Sequence, residues 1–180
     1  MATTMKLIAK QTLSSDTTTV TFSSIPGTFT DLLVICSARH SNTDGYTSAQ
    51  FLRLNGSTSS YTTRNLQYNE TTGPRSAVNA YNVTSAVYLG EGPGNSLTAD
   101  TFGCTEIYLP NYAGSTNKSL SATCVGEHNG SASYTFYVGV SAGLWSNTAA
   151  VTEVSLHAGA VGTFNFKSGS SFYLYGITKA

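Results

Sequence analysis

The stretch Ser170-Ser171-Phe172-Tyr173-Leu174-Tyr175-Gly176-Ile177 does most to restrict how this chain folds. Alternating positions put Phe172, Leu174 and Gly176 on one side of a strand and Tyr173, Tyr175 and Ile177 on the other, so the strand is apolar or aromatic on both faces. A strand of that kind belongs inside a sheet, with a partner on each edge. Because it sits at the end of the sequence, its partners lie far back along the chain, and the sheet needs long-range antiparallel connections.

Other segments point the same way. Residues 31–39 form a second stretch that is apolar on both faces, with Leu32, Val34 and Cys36 against Leu33 and Ile35. Shorter strands are predicted over 6–13, 18–23 and 49–54, the last ending at Asn55-Gly56, a strong tight-turn signal. Residues 78–89 alternate with Tyr81, Val83, Val87 and Leu89 on one face, and the glycine-rich run 90–95 closes that strand. Further strands are predicted over 101–109, 118–127, 134–144 and 151–158. In the 134–144 strand, periodicity puts Tyr134, Phe136, Val138, Val140, Ala142 and Leu144 on one face, with Phe136 and Val138 expected in the core alongside Leu156. Residues 61–70 have no clean period and read as a loop or an edge strand. With no sustained helical periodicity, the expected fold is all-β: a single antiparallel β-sandwich, jelly-roll-like, of about eight to ten strands. It occupies residues 1–180 as one domain, with 1–5 as a flexible arm.

Charge is scarce. Nine basic and nine acidic residues cancel, and only 10% of the 180 residues are charged, against roughly 25% in an ordinary soluble domain. Surface polarity must come from Ser, Thr, Asn and Gly. A chain with no net field is not expected to bind nucleic acid, and its most apolar run, Leu32-Leu33-Val34-Ile35-Cys36, is too short to cross a membrane. The N-terminus lacks the apolar region that secretion requires, which implies synthesis in a reducing cytoplasm. The three cysteines accordingly read as unpaired buried thiols. Cys104 and Cys124 are equidistant from Gly114, so a direct hairpin would make them cross-strand neighbours.

Signals for chemistry are thin. Gly139-Val140-Ser141-Ala142-Gly143 fits the nucleophile-elbow pattern, and Glu153 and His157 follow in hydrolase order. The elbow requires a strand, a sharp turn and a helix, whereas here the pattern lies within a strand; Glu153 and His157 read as solvated positions on one short strand. His40, His128 and His157 have no metal-ligand spacing and read as surface or turn residues. The carboxylates form no pair on a shared face, and no cofactor is expected. Most suggestive are the eleven tyrosines. Tyr46, Tyr61, Tyr68, Tyr81 and Tyr112 fall in or beside predicted loops, where an amphipathic ring stacks on a sugar or anchors a protein interface.

Several short pieces together resemble small virion proteins of tailed bacteriophages. They are Thr19-Val20-Thr21-Phe22-Ser23-Ser24-Ile25-Pro26 followed by Thr30-Asp31-Leu32-Leu33-Val34, then Leu52-Arg53-Leu54-Asn55-Gly56, Ile107-Tyr108-Leu109-Pro110-Asn111-Tyr112, Ala142-Gly143-Leu144-Trp145-Ser146 and the closing strand. The resemblance implies a β-sandwich on the outer surface of the virion, made in the host bacterial cytoplasm and without catalytic residues. As a capsid decoration (cement) protein it would be a homotrimer bound to the phage major capsid protein, with Tyr173 and Tyr175 as candidate subunit contacts. As a tail-fibre or receptor-binding module it would read host surface glycan. A polysaccharide or ester hydrolase is the distant third class.

Overall fold

The computed structural model describes residues 4–43, 47–69, 73–78, 83–127, 136–159 and 162–178. Within them, twelve strands form two antiparallel sheets packed face to face as a β-sandwich. Eight strands make the larger sheet, in the order β1 (Met5–Thr12), β12 (Ser171–Ile177), β3 (Asp31–Ala38), β8 (Gly103–Pro110), β9 (Lys118–Glu127), β10 (Phe136–Trp145), β5 (Tyr61–Asn69) and β6 (Gly73–Val78). The smaller sheet runs β2 (Thr19–Phe22), β11 (Val154–Ala158), β4 (Ser48–Leu54) and β7 (Val87–Gly92).

The two strands that are apolar on both faces are both interior. β12 pairs with β1 on one edge and β3 on the other, and β3 lies between β12 and β8. Phe172 and Leu174 of β12 are buried on the inner side in one core with Val34, Ile107, Leu54 and Leu156. Phe166 packs edge-on against Phe172 from that same inner side, with ring centroids 5.0 Å apart. The loop that carries Phe166 therefore does not cover Tyr173 and Tyr175, which point outward.

Several expectations about individual strands are corrected. Residues 61–69 form an interior strand, β5, between β10 and β6. β7 begins only at Val87 and continues through Gly90 to Gly92, because a register shift opposite Gln50 and Phe51 accommodates Gly90 at φ 133°. Asn55 and Gly56 do turn the chain, at φ 52° and 64°, but they lead from one sheet to the other and close no hairpin. Cys104 faces Val125, and Thr105 faces Cys124. That one-residue offset from the symmetric register puts the thiols on opposite faces, with Cys104 exposed and Cys36 and Cys124 buried.

The largest correction concerns β10. Its inward positions are Tyr137, Gly139, Ser141, Gly143 and Trp145, while Val138 and Val140 face solvent. Close approach of the second sheet explains the reversal. A Cβ on Gly143 would lie 2.5 Å from a methyl of Val87, and one on Gly139 would lie 2.5 Å from the Tyr137 hydroxyl. The inner face of β10 accommodates glycine where β7 and the Tyr137 ring crowd it, which leaves its valines outside.

Candidate functional site

Polar groups between the sheets come from alternate positions of β5, β7, β9 and β10, and they bond mainly to one another. Asn65 donates to the Ser141 hydroxyl at 2.9 Å. The Tyr137 hydroxyl donates to Gln67 at 3.2 Å, the Tyr88 hydroxyl donates to Glu91 at 3.3 Å, and Thr47 also donates to Glu91. The Cys124 thiol donates to the Glu91 carbonyl at 3.1 Å, and burial pushes its pKa up to about 12. Burial likewise raises the Tyr137 phenol. Both groups stay protonated near neutrality and act as hydrogen-bond donors rather than nucleophiles.

The hydrolase pattern is not assembled. Ser141 is completely buried in β10 of the larger sheet with an amide as partner, and His157 belongs to β11 of the smaller sheet. Nor is His157 solvated, since β11 is an interior strand whose five residues are all buried. Its Nε2 is 3.0 Å from Ser155 Oγ and its Nδ1 is 3.2 Å from Thr19 Oγ1. Desolvation, with Arg53 adding to it, lowers its pKa to about 4. His40 is buried against Phe166 with no hydrogen-bond partner at either ring nitrogen, and desolvation lowers it to about 3. His128 lies outside the described residues. Among the described residues, no three His, Cys, Asp or Glu side chains are placed to hold a metal ion.

Two of the five loop tyrosines are core residues. The Tyr61 hydroxyl accepts from Leu54 N at 2.8 Å and donates to Leu54 O at 3.2 Å, while its ring stacks on Trp145. The Tyr112 hydroxyl donates to the Pro26 carbonyl, and its ring is completely buried. Neither ring has a face free for a sugar, because each hydroxyl ties a turn to the core. Tyr46 and Tyr81 lie outside the described residues. Tyr68 is exposed and stacks on Phe136, with centroids 5.3 Å apart. Tyr173 and Tyr175 are half-buried and stacked on each other at 6.5 Å.

What the structure does bring together is an apolar surface. Among the described residues, eight large hydrophobic side chains are exposed: Met5, Leu7, Leu66, Tyr68, Tyr108, Val125, Val138 and Val140. All eight stand on the outward face of the larger sheet. The register shows how they align: Tyr68, Val138, Val125 and Cys104 sit opposite one another across β5, β10, β9 and β8. Leu66 and Val140 form the next row, and Leu7 continues the row of Leu33 and Tyr175 at the far edge. Leu66 is 62% exposed, Val140 51% and Val138 48%. Beside them a groove of about 300 Å³ is lined chiefly by Phe102, Cys104, Val125, Phe136 and Val138, with Glu127 on its wall.

Sequence reasoning missed this face, although one signal for it was present. The glycine-serine-glycine phase of β10 marks the crowded inner side, so the opposite, valine-bearing phase had to face out. Two buried cations were missed as well. Arg39 donates to four backbone carbonyls, those of Thr98 at 2.6 Å, Leu97 at 2.7 Å, Thr101 at 2.9 Å and Asn95 at 3.1 Å. Lys118 donates to the carbonyls of Gly114 at 2.7 Å and Thr148 at 3.3 Å, and desolvation lowers its pKa.

No family model matches the chain, and no curated protein matches it. Among solved structures it is similar to scytalido-glutamic peptidase, determined with a transition state analog inhibitor, at 9% identity over 90% of this chain and 75% of that one, with a TM-score of 0.31. It is also similar to the exoplasmic/lumenal domain of VIP36 in its Ca2+/Man3GlcNAc-bound form, at 10% identity over 93% of this chain and 80% of that one, with a TM-score of 0.33.

Proposed function

We propose that this chain is a non-enzymatic structural protein of a bacteriophage virion, a decoration protein that binds the outer surface of the assembled head as a homotrimer and strengthens it. The observation that carries this reading is the gathering of all eight exposed large apolar side chains of the described residues on one sheet face. Apolar side chains gathered on one sheet face mark a place where another protein sits. The inter-sheet polar groups fit the same reading, being buried and engaged with one another. Binding only to the closed capsid lattice disfavours its opening by mass action.

Locating the chain on intact particles tests this reading. Hundreds of copies on the head, with heads that burst at lower temperature when the protein is omitted, are the expected result; a few tens of copies at the tail would sink it. The exposed Tyr68 ring, stacked on the half-buried Phe136, favours a second reading, a receptor module that binds host glycan on an aromatic platform. Glycan binding lost in Tyr68→Ala, with head assembly intact, would support that alternative.

A further inference from the structure

Residues 39–42, at the end of β3, are tied to a different loop on each side. Toward the 93–101 loop, His40 N donates to the Pro93 carbonyl at 2.8 Å and Asn95 N donates to the Asn42 carbonyl at 2.7 Å, beside the four carbonyls that Arg39 takes. Toward the 162–170 loop, Ser41 N donates to Asn165 O at 2.9 Å, Lys167 N to Arg39 O at 2.8 Å and Arg39 N to Ser170 Oγ at 3.1 Å. The two loops also approach each other: a Cβ on Gly169 would stand 3.2 Å from the ring of Phe102, which walls the groove of the outward face. The His40 ring lies within this junction. It is completely buried, its centroid is 5.1 Å from that of Phe166, and a Cβ on Gly92 would meet its Nε2 at 2.9 Å.

Keeping an imidazole there lowers stability. Neither ring nitrogen has a protein partner, although a neutral imidazole carries one donor and one acceptor, and an unpaired buried polar group destabilises a fold. An apolar side chain would fill the same space without that penalty, so the ring supplies something that packing does not require. We infer that His40 is an acid-sensitive latch: neutral, it lets residues 39–42 hold the 93–101 and 162–170 loops together, and on taking a proton it releases both loops while the sheets stay folded. Among the described residues no charged side chain bonds to the ring. Arg39 is committed to the loop carbonyls with Asp100 beside it, Glu91 of β7 bonds to Thr47 and Tyr88, and Lys167 pairs with Asp16. From β4 come only the uncharged Ser48 and Gln50. A proton on the ring is therefore stabilised only once the loops part. Burial alone takes the pKa from 6.5 to about 3, so the closed form is favoured by the neutral ring. Its advantage is lost as the pH falls below 6.5, with the open population rising up to about tenfold per pH unit. Because Phe102 follows the 93–101 loop, the open form also loses one wall of the groove. The latch belongs to the chain's own loops and is independent of where the protein sits on a virion.

Amide hydrogen exchange, followed residue by residue by NMR on the purified chain with intrinsic rates divided out, tests this between about pH 7 and 5, above the main carboxylate range. Protection at His40, Ser41, Asn95 and Lys167 is expected to fall about 25-fold across that range, the ratio for one group that titrates at 6.5 only when open. These amides should exchange faster than those of Val140 and Ser141 in the interior strand β10 at every pH. His40→Leu keeps an apolar side chain and cannot titrate, so it should make protection independent of pH; His40→Phe, which keeps a ring, should do the same. His157→Gln, in β11, should leave the 25-fold fall intact. A fall that persists in both His40 variants, a fall that disappears in His157→Gln, or protection of the unmodified chain that does not change with pH would each overturn the inference. So would latch amides that exchange no faster than those of β10. Copy number and position on the phage head are a separate measurement, so the decoration reading stands or falls on its own.

Discussion

Arg39 is the side chain whose environment is most demanding. Its guanidinium spans carbonyls of residues 95–101 with no carboxylate hydrogen-bonded to it, because the planar fork offers five donors and the loop turns four carbonyl acceptors toward it. Lysine preserves the charge but brings a compact ammonium with three donors. Arg39→Lys is therefore expected to lose about 2 kcal/mol, the scale of one or two hydrogen bonds to a charged group. Urea denaturation and the rate of native-state proteolysis within 95–101 both measure it, and unchanged values in both would refute the clasp. The two described histidines set the response to acid. His157 and His40 have folded pKa values of about 4 and about 3, below the unfolded value of 6.5. Between those limits the unfolded chain binds more protons than the folded one, so stability falls as the pH falls through that window. The slope approaches about 1.4 kcal/mol per pH unit for each residue. Stability curves between about pH 6.5 and 4.5, above the main carboxylate range, should show that decline. His157→Gln is expected to halve it, and an undiminished slope would mean that His157 is protonated in the fold.

β10 shows why a periodic pattern can place a strand correctly and still turn it over. Apolar alternation over 136–144 is real, but alternation fixes only the period, and which phase faces the core depends on how near the opposing layer comes. Here Val87 of β7 lies so close that the inward side carries Gly143 and Gly139. Two substitutions at adjacent positions separate the phases. Gly143→Ala should destabilise by about 1–3 kcal/mol through overpacking against Val87, whereas Ala142→Val on the exposed side should stay within about 0.5 kcal/mol. Thermal midpoints would reveal it, and equal effects at the two positions would contradict the assigned faces. The same limit explains the cysteines, where a hairpin symmetric about Gly114 and the actual one differ by a single residue, enough to expose Cys104. It explains the tyrosines as well, because the sequence around Tyr61 and Tyr112 shows a loop nearby but not which backbone carbonyl each hydroxyl will find.

At the scale of the molecule, the strands that are apolar on both faces were readable because a two-sided environment leaves its mark in a single segment. The division into eight-stranded and four-stranded sheets was not, since β1 and β3 find their partner β12, and β2 and β4 their partner β11, in segments about a hundred residues or more away. β12 illustrates both points: Tyr175 lies opposite Leu7 on one edge and Leu33 on the other. Until β12 inserts, β1 has no partner in the sheet and β3 has an open edge, with Val34 and Leu32 lacking the cover of Phe172 and Leu174. The larger sheet must therefore close late, and its many long-range pairings make folding slow. Deleting residues 171–180 is expected to leave a chain that binds hydrophobic dye, lacks dispersed amide resonances and is digested at least ten times faster, on the order of the loss of several kcal/mol of core burial. The consequence extends to assembly. Met5 and Leu7 pair with Ile177 and Tyr175, so the exposed apolar side chains of β1 take their place on the outward face in the same step that completes the fold. A native-like monomer of the truncated chain, with β1 still ordered, would contradict that coupling.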